Sequence, residues 1–164
     1  MNKLFLKKII IYLAIILFIF ALDRFSKLHI LSILENFGNV DININSYINL
    51  VPVWNSGIGF GLLSFDQSEI YNAITVLILF INIFIIYLVF KSKGIVVYFF
   101  IIILGGSLGN LFDRIYYSAV LDFIDISYNG YHWFIFNIAD VFITIGIICL
   151  IFSELLNYKK KNEI

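Results

Sequence analysis

The sequence predicts a mainly α-helical membrane protein with four transmembrane helices, a small extracytoplasmic β-sheet and a short interfacial helix. Composition is the first observation behind this class. Of the 164 residues, 62% are hydrophobic and 13% are charged, and the mean hydropathy is +0.99; soluble globular domains are far less apolar. The second observation is that four apolar stretches have roughly the 20-residue length that a helix needs to cross a bilayer.

The predicted spans cover about residues 9–28, 70–90, 95–111 and 137–156. Basic segments separate or end them, because Lys91 and Lys93 lie between the second and third spans and a run of lysines follows the fourth. No repeat, low-complexity stretch or Pro/Gly/Ser-rich linker divides the chain. Residues 1–164 are therefore predicted to form a single integral membrane domain.

The first span resembles a secretory signal peptide, because Lys7 and Lys8 precede an apolar run that reaches Ala21. No small-x-small cleavage motif follows this run, and the charged residues Asp23 and Arg24 come directly after it. We therefore expect an uncleaved first span with a polar outer end.

Lysines predict the orientation of the spans. Eight of them fall on one side of a four-span arrangement: Lys3, Lys7, Lys8, Lys91, Lys93, Lys159, Lys160 and Lys161. Positively charged loops stay in the cytoplasm. We therefore expect both termini to be cytoplasmic, and the two longer connections, about residues 29–69 and 112–136, to lie outside.

The first outer connection has the pattern of a small sheet that lies on the membrane. Residues 41–45 alternate polar with apolar, and residues 47–53 favour extended backbone around Pro52. Three glycines follow within residues 55–61, where they permit turns or close backbone approach. Residues 62–69 are predicted to form the short interfacial helix.

Charge and composition exclude several classes of partner and cofactor. The formal net charge is zero and no basic cluster interrupts the middle of the chain, so we expect no nucleic acid partner. The single cysteine, Cys149, cannot form an intramolecular disulfide. His29 and His132 have no spacing that fits a zinc site, so we expect no metal and no cofactor.

Three aspartates near the predicted outer interface are the candidate functional residues: Asp113, Asp122 and Asp140. Ionisable groups at membrane depth are costly and point to function. Asn137 is a plausible N-cap of the fourth span, which places Asp140 in the first helical turn. Two carboxylates held close together share a proton and can activate water as base and acid, as in aspartic proteases.

Structural roles compete with this hypothesis. Asp113 could pair with Arg114, and Asp23 with Arg24, as interfacial ion pairs. Asn55 and Asn110 could serve as hydrogen-bonding contacts between helices.

Two other activities compete with the aspartic protease hypothesis. Residues 105–109 match the G-x-S-x-G pattern of serine hydrolases, but that motif needs a strand-turn-helix context, and here it lies within a span. Its glycines more simply permit close helix packing. A small proton- or cation-coupled carrier or channel subunit is the principal alternative, although it would place carboxylates at mid-span.

Four motifs carry a resemblance to a known family. They are residues 55–61 (N-S-G-I-G-F-G), 105–114 (G-G-S-L-G-N-L-F-D-R), 120–123 (V-L-D-F) and 136–140 (F-N-I-A-D). Together, and with Asp23 at the outer end of the first span, they strongly resemble the bacterial lipoprotein signal peptidases, or signal peptidase II, an intramembrane aspartyl protease family. The resemblance covers essentially the whole chain in motif order.

The resemblance implies an endopeptidase that removes signal peptides from diacylglyceryl-modified prolipoproteins and cuts before the lipidated cysteine. It implies that Asp122 and Asp140 are catalytic. Residues that it implies to bind substrate or support the site are Asp23, Asn55, Gly57, Asn110, Asp113, Arg114, Asn137 and Ala139. The outer sheet and short helix would clamp the substrate.

The resemblance also implies where the protein works. It predicts a monomer in the bacterial cytoplasmic (inner) membrane, in contact with membrane lipid, with its active site at the outer face.

Two positions depart from the family pattern. Gly59 stands where alanine is common, and Ser118 stands where glycine is common before the V-x-D-F motif. Glycine at position 59 adds backbone freedom, whereas serine at position 118 would strain a turn that needs positive φ.

Overall fold

A computed structural model describes residues 3–38, 41–57 and 68–162. The helices are α1 (Lys3–Phe37), α2 (Ser68–Lys91), α3 (Val96–Tyr117) and α4 (Ile138–Asn162). The strands are β1 (Ile42–Asn43), β2 (Ile48–Asn55), β3 (Val120–Tyr128) and β4 (Tyr131–Phe136). Each of the four helices in the described ranges is long and apolar enough to cross a membrane. The prediction of four transmembrane helices with a small sheet is confirmed.

Helix α3 is the centre of the helical bundle. It packs against α1, α2 and α4. In its most apolar part 56% of the residues are buried, against 6% to 11% in the other three helices. The surfaces that α1, α2 and α4 leave exposed are apolar, as expected where helices face lipid tails.

Glycines bring α3 and α4 into close contact. A Cβ atom on Gly106 would lie 2.5 Å from the carbonyl oxygen of Ala139, and one on Gly146 would lie 2.5 Å from a side-chain carbon of Ile103. Any larger residue would push the two backbones apart. The predicted packing role of the glycines in residues 105–109 is confirmed at Gly106.

The four strands form one antiparallel sheet in the order β1-β2-β3-β4. Val53 of β2 pairs with Asp122 of β3, and Asn49 pairs with Asp125. Because side chains alternate along a strand, Asp122 and Asp125, three positions apart, project from opposite faces of the sheet.

Three helices extend further than the apolar spans predicted, and one of them, α4, ends at Asn162 instead of residue 156. Helix α1 continues to Phe37 and α3 to Tyr117, beyond the predicted ends at residues 28 and 111. Asp113 therefore lies on α3 and does not follow it, which corrects the prediction. The helices continue through the charged residues Asp23, Lys27 and Asp113 because these residues pair with one another inside the protein.

The second outer connection forms a β-hairpin that sequence analysis did not predict. Asn129 and Gly130 link β3 to β4 with φ values of 49° and 78°. Positive φ at both central residues is the signature of a type I′ turn, for which Asn-Gly is the preferred pair. This dipeptide was the signal in the sequence that could have revealed the hairpin.

Part of the first outer connection lies outside the described residues. Gly59 and residues 62–67, most of the predicted interfacial helix, belong to that part. The sheet predicted around residues 41–53 is present as β1 and β2.

Ser118 ends α3 in a left-handed conformation, with φ 56° and ψ 21°. The strain expected for serine at this position is therefore present. Non-glycine residues adopt this conformation at a cost of about 1–2 kcal/mol. The turn directs the chain from α3 into β3, the strand that carries Asp122.

We expect Ser118→Gly to raise the free energy of unfolding by about 0.5–1 kcal/mol, because relief of the strain exceeds the added entropy of glycine in the unfolded chain. Thermal unfolding of the purified protein in detergent measures the change. Asn129→Gly is the matched control at another positive-φ residue; because asparagine tolerates this conformation, its gain is smaller. An equal or larger gain at Asn129 would contradict the explanation.

Candidate active site

A cavity of about 210 Å³ lies where the helices meet the sheet. It is lined by Asn55, Ile78, Ile81, Ser107, Asn110, Arg114, Val120, Asp122, Asp140 and Ile143. Two of the three candidate aspartates thus face the same space, although one comes from a strand and the other from a helix. Apolar side chains from α2 and α4 form the rest of the wall.

Asp122 is held by two amide side chains. It lies on β3 and is 3% exposed. Its Oδ1 accepts a hydrogen bond from Asn137 Nδ2 at 2.6 Å, and its Oδ2 accepts one from Asn55 Nδ2 at 2.9 Å. Both carboxyl oxygens are therefore fixed in position on the cavity wall.

Burial raises the pKa of Asp122 to about 6, well above the ordinary value for aspartate. The negative charge of Asp140 raises this pKa as well, while the hydrogen bonds from Asn55 and Asn137 and the charge of Lys27 act against it. Removal of the carboxyl group from water has the largest effect. Asp122 is thus able to keep a proton at a pH where an ordinary aspartate has lost it.

Asp140 and Asn137 form a reciprocal cap at the beginning of α4. The Oδ1 of Asn137 accepts a hydrogen bond from the Asp140 N–H at 3.1 Å, and the Oδ2 of Asp140 accepts one from the Asn137 N–H at 3.2 Å. This is the geometry of a capping box. The predicted N-cap is confirmed, and Asn137 contacts both aspartates.

Beneath the cavity lies a network of buried ion pairs between α1 and α3. Lys27 Nζ lies 2.9 Å from Asp23 Oδ2 and 2.7 Å from Asp113 Oδ2. Arg24 Nη2 lies 2.6 Å from Asp113 Oδ1. Lys27, Asp23 and Asp113 are each at most 1% exposed. Each charge therefore depends on the others for its compensation.

Of the two ion pairs considered as structural alternatives, the network contains Asp23–Arg24 but not Asp113–Arg114. Asp113 pairs with Arg24 and Lys27, so the hypothesis of a pair with its neighbour Arg114 is wrong. Arg24 Nη2 lies 3.4 Å from Asp23 Oδ2, which is the longest contact of the network. Consecutive residues on a helix point in different directions, so Asp113 faces α1 and not its neighbour Arg114, whereas Asp23 and Lys27, four positions apart, share a face.

Lys27 connects the network to the cavity. Its Nζ donates a hydrogen bond to Asn110 Oδ1 at 3.0 Å, and Asn110 Nδ2 donates one to Asp140 Oδ1 at 2.8 Å. The ammonium group thus orients the asparagine amide so that its NH₂ group faces Asp140. Lys27 has no role in the predictions made from the sequence. The spacing of Asp23 and Lys27 by four positions on one helix was the signal that could have identified it.

Asp23 also binds α4 directly. Its Oδ1 accepts a hydrogen bond from the N–H of Ala139 at 3.1 Å. Gly109 of α3 makes room for it, since a Cβ atom there would lie 2.6 Å from Asp23 Oδ2. Asp23 therefore joins three helices at the level of the cavity.

Arg114 fastens the segment that follows β2. Its guanidinium donates a hydrogen bond to the carbonyl oxygen of Gly57, whose N–H donates to Asn55 Oδ1 at 2.8 Å. The guanidinium also lies over the ring of Tyr71, with 5.6 Å between its Cζ atom and the ring centroid. Arg114 is 5% exposed and lines the cavity, so its positive charge faces the same space as the two aspartates.

The structure brings all ten residues implied by the motifs to one region. Around the cavity lie Asn55, Asn110, Arg114, Asp122 and Asp140. Bound directly to them or to the network beneath are Asp23, Gly57, Asp113, Asn137 and Ala139.

The serine of the G-x-S-x-G pattern also lines the cavity. Ser107, however, lies within α3, so the strand-turn-helix that this motif needs is absent at that position. His132 binds Asp125 on the sheet, on the face opposite to Asp122. A serine nucleophile activated by histidine is therefore not supported.

Comparison with known proteins gives consistent matches over nearly the whole chain. A family profile described as Signal peptidase (SPase) II matches residues 15–156. A protein named lipoprotein signal peptidase from Pelagibacter ubique (strain HTCC1062) is 53% identical over 164 residues, which are 99% of each chain. One of the same name from Anaplasma phagocytophilum (strain HZ) is 38% identical over 152 residues, covering 92% of this chain and 95% of that one.

Solved structures agree with the sequence matches. A bacterial membrane enzyme with 28% sequence identity superposes with a TM-score of 0.75, over 92% of this chain and 90% of that chain. A second bacterial membrane enzyme, 27% identical, gives a TM-score of 0.67 over 88% of this chain and 92% of that one.

We expect Lys27→Met to lower the free energy of unfolding by about 3–5 kcal/mol, because two buried carboxylates lose their shared partner. Thermal unfolding in detergent measures the loss. Lys93→Met is the matched control, since Lys93 is exposed at the other end of the bundle and its loss should change stability little. Similar losses in both variants would show that the network does not stabilise the bundle.

Proposed function

Because this chain belongs to the signal peptidase II family and is a protease that removes signal peptides from prolipoproteins, we propose that Asp122 and Asp140 are its catalytic pair. One observation carries the assignment. Both carboxylates line the same cavity, and Asn137 contacts each of them through a different donor. No other two carboxylates of the described residues share this cavity.

The pair holds one proton when it is ready to react. Two neighbouring carboxylates do not readily ionise together, and the raised pKa of Asp122 supports a protonated group beside an ionised one. The resulting acid and base are the requirements for hydrolysis by an aspartic protease.

In the reaction, the ionised carboxylate removes a proton from a water molecule, whose oxygen attacks the carbonyl carbon of the scissile peptide bond. The protonated carboxyl group stabilises the developing oxyanion. As the C–N bond breaks, the leaving nitrogen receives a proton from the pair. The products are a free carboxyl group and a free amine, and no covalent enzyme intermediate forms.

Polar groups around the pair position the substrate. Arg114 and Asn110 line the cavity beside the two aspartates, where they can bind backbone carbonyl groups of an extended peptide. The Asn55 side chain orients Asp122 and is itself held by Gly57. The ion pairs of Lys27 hold α1 to α3, and the hydrogen bond between Asp23 and Ala139 holds α1 to α4, at the spacing that this arrangement requires.

The substrate is a prolipoprotein that carries a diacylglyceryl group, and cleavage occurs before the lipidated cysteine. An apolar groove of about 330 Å³ supports this proposal. It is lined mainly by apolar residues of β3, β4 and α4, and Asp140 is part of its lining. Such a groove suits acyl chains or apolar side chains next to the reacting bond.

The protein works as a monomer and as a single membrane domain, since one chain supplies every residue of the proposed site. Both termini lie in the cytoplasm and the site faces the outer side of the bacterial cytoplasmic membrane. The distribution of lysines supports this orientation. The carrier alternative lacks support because Asp140 is in the first turn of its helix and Asp122 is on a strand, so neither is at mid-span.

Incubation of the purified protein with a lipidated and an unlipidated form of one prolipoprotein tests the proposed substrate. Only the lipidated form should be cleaved, with a new N-terminus at the modified cysteine by mass spectrometry. Equal cleavage of both forms would exclude recognition of the lipid.

Asp122→Asn and Asp140→Asn should each lower the cleavage rate by at least about 100-fold, because an amide can replace neither the acid nor the base of the pair. Both variants should keep the elution profile and helical circular dichroism of the parent. Glu154→Gln, an exposed carboxylate change on α4, is the control and should retain activity. Full activity in either aspartate variant would assign the chemistry to other residues.

The raised pKa of Asp122 predicts a titration near pH 6. Its carboxyl group stays protonated between about pH 4, where ordinary aspartates ionise, and pH 6, and loses its proton above that. The infrared carbonyl band of the protonated Asp122 carboxyl group is isolated by subtracting the spectrum of Asp122→Asn from that of the parent. This band should therefore persist up to about pH 6. In Asp140→Asn the midpoint should fall, since the neighbouring charge that raises the pKa is gone. An unchanged or higher midpoint would contradict electrostatic coupling.

A further inference from the structure

A second cavity, of about 400 Å³, lies on the sheet and is lined by residues from all four strands or their ends. Asp41 and Asn43 line it at β1, Asn49 at β2, Asp125 at β3, and His132 and Trp133 at β4. Asp125 projects from the face opposite to Asp122. A ligand in this cavity would therefore not occupy the place of the scissile bond.

Asp125 is a buried carboxylate with only one of its oxygens satisfied. It is 1% exposed. Its Oδ2 accepts hydrogen bonds from Asn49 Nδ2 at 3.0 Å and from His132 Nδ1 at 2.7 Å. Its Oδ1 has no hydrogen-bond partner within the described part of the chain. A buried charged oxygen without a donor is costly, so the site favours a ligand that can donate a hydrogen bond.

The charges around this cavity favour a cation. Asp41 and Asp125 both line it, and no lysine or arginine does so among the described residues. His132, whose side chain is 62% exposed, contacts Oδ2 of Asp125 through Nδ1 and does not reach Oδ1. Trp133 is 68% exposed and adds an aromatic surface of the kind that binds ammonium groups.

Exposed aromatic residues next to the cavity lining support a position of its mouth near lipid headgroups. Tyr128 and Tyr131 flank the turn between β3 and β4 and are 63% and 68% exposed, next to Trp133. Tyrosine and tryptophan in such positions are typical of the level of lipid headgroups at a membrane surface. At that level the ammonium groups of phospholipids are cations that could enter the cavity.

We propose that this cavity binds a phospholipid headgroup that carries a primary ammonium. Asp125 and Asp41 are the anionic partners, with the free Oδ1 of Asp125 accepting a hydrogen bond from the ammonium, and Trp133 contacts the charge through its ring. The bound headgroup would hold the sheet against the membrane surface while the opposite face of the sheet presents Asp122. This site is independent of the catalytic assignment.

Native mass spectrometry of the full chain in detergent tests the proposal. The protein is titrated with phosphatidylethanolamine, phosphatidylcholine and phosphatidylglycerol that carry identical acyl chains. Phosphatidylethanolamine should bind at least about tenfold more tightly than phosphatidylglycerol, the expected effect of one charge-assisted hydrogen bond. Phosphatidylcholine should bind more weakly than phosphatidylethanolamine, because its quaternary ammonium has no proton to donate. Equal binding of the three lipids would overturn the proposal.

Two variants localise the binding. Asp125→Asn should reduce the affinity for phosphatidylethanolamine to that for phosphatidylglycerol, whereas Glu154→Gln, at a distance from the sheet, should leave it unchanged. Asp41 is exposed, so Asp41→Asn gives a folded protein even if Asp125→Asn does not, and it should weaken the same preference. A preference retained in Asp41→Asn and in folded Asp125→Asn would exclude this cavity. If soluble phosphoethanolamine binds as tightly as the lipid, the membrane is not the source of the ligand.

Discussion

The constraint on which the rest of the structure depends is the need of buried charges for partners at membrane depth. Lys27 lies between Asp23 and Asp113, and all three are almost completely buried. A buried charge that loses its partner is strongly destabilising, so the bundle depends on α1 and α3 keeping these groups in contact. The same lysine binds Asn110, which in turn binds Asp140. The stability of the bundle and the position of a proposed catalytic group thus depend on one side chain.

The two proposed catalytic aspartates differ because they lie on different kinds of backbone. Asp122 is on a strand and is held by two side-chain amides, whereas Asp140 is in the first turn of a helix and shares a cap with Asn137. Two environments give an acid and a base from the same residue type. Asn137 binds both aspartates and lies where β4 ends and α4 begins. The position of this junction therefore determines the geometry of the pair.

The sheet separates two kinds of chemistry by the alternation of its side chains. One face of β3 carries Asp122 toward the helices, and the other carries Asp125 toward the cavity formed with Asn49 and His132. A separation of three positions along the strand is enough to keep these aspartates apart, because each step reverses the side-chain direction. The proposed protease and lipid sites can therefore share a scaffold without sharing a ligand.

By itself the sequence determined the four membrane helices, the cap at Asn137 and the set of polar residues in the motifs, because hydropathy and capping depend on neighbours along the chain. Only the tertiary structure decided the partners of the charges. Lys27 and Asn110 are 83 positions apart, and Asp113 pairs across helices instead of with Arg114. The hairpin of β3 and β4 also needed the fold, although Asn129-Gly130 marked its turn. Long-range contacts leave no periodic pattern in a chain, and they specify how the aspartates meet.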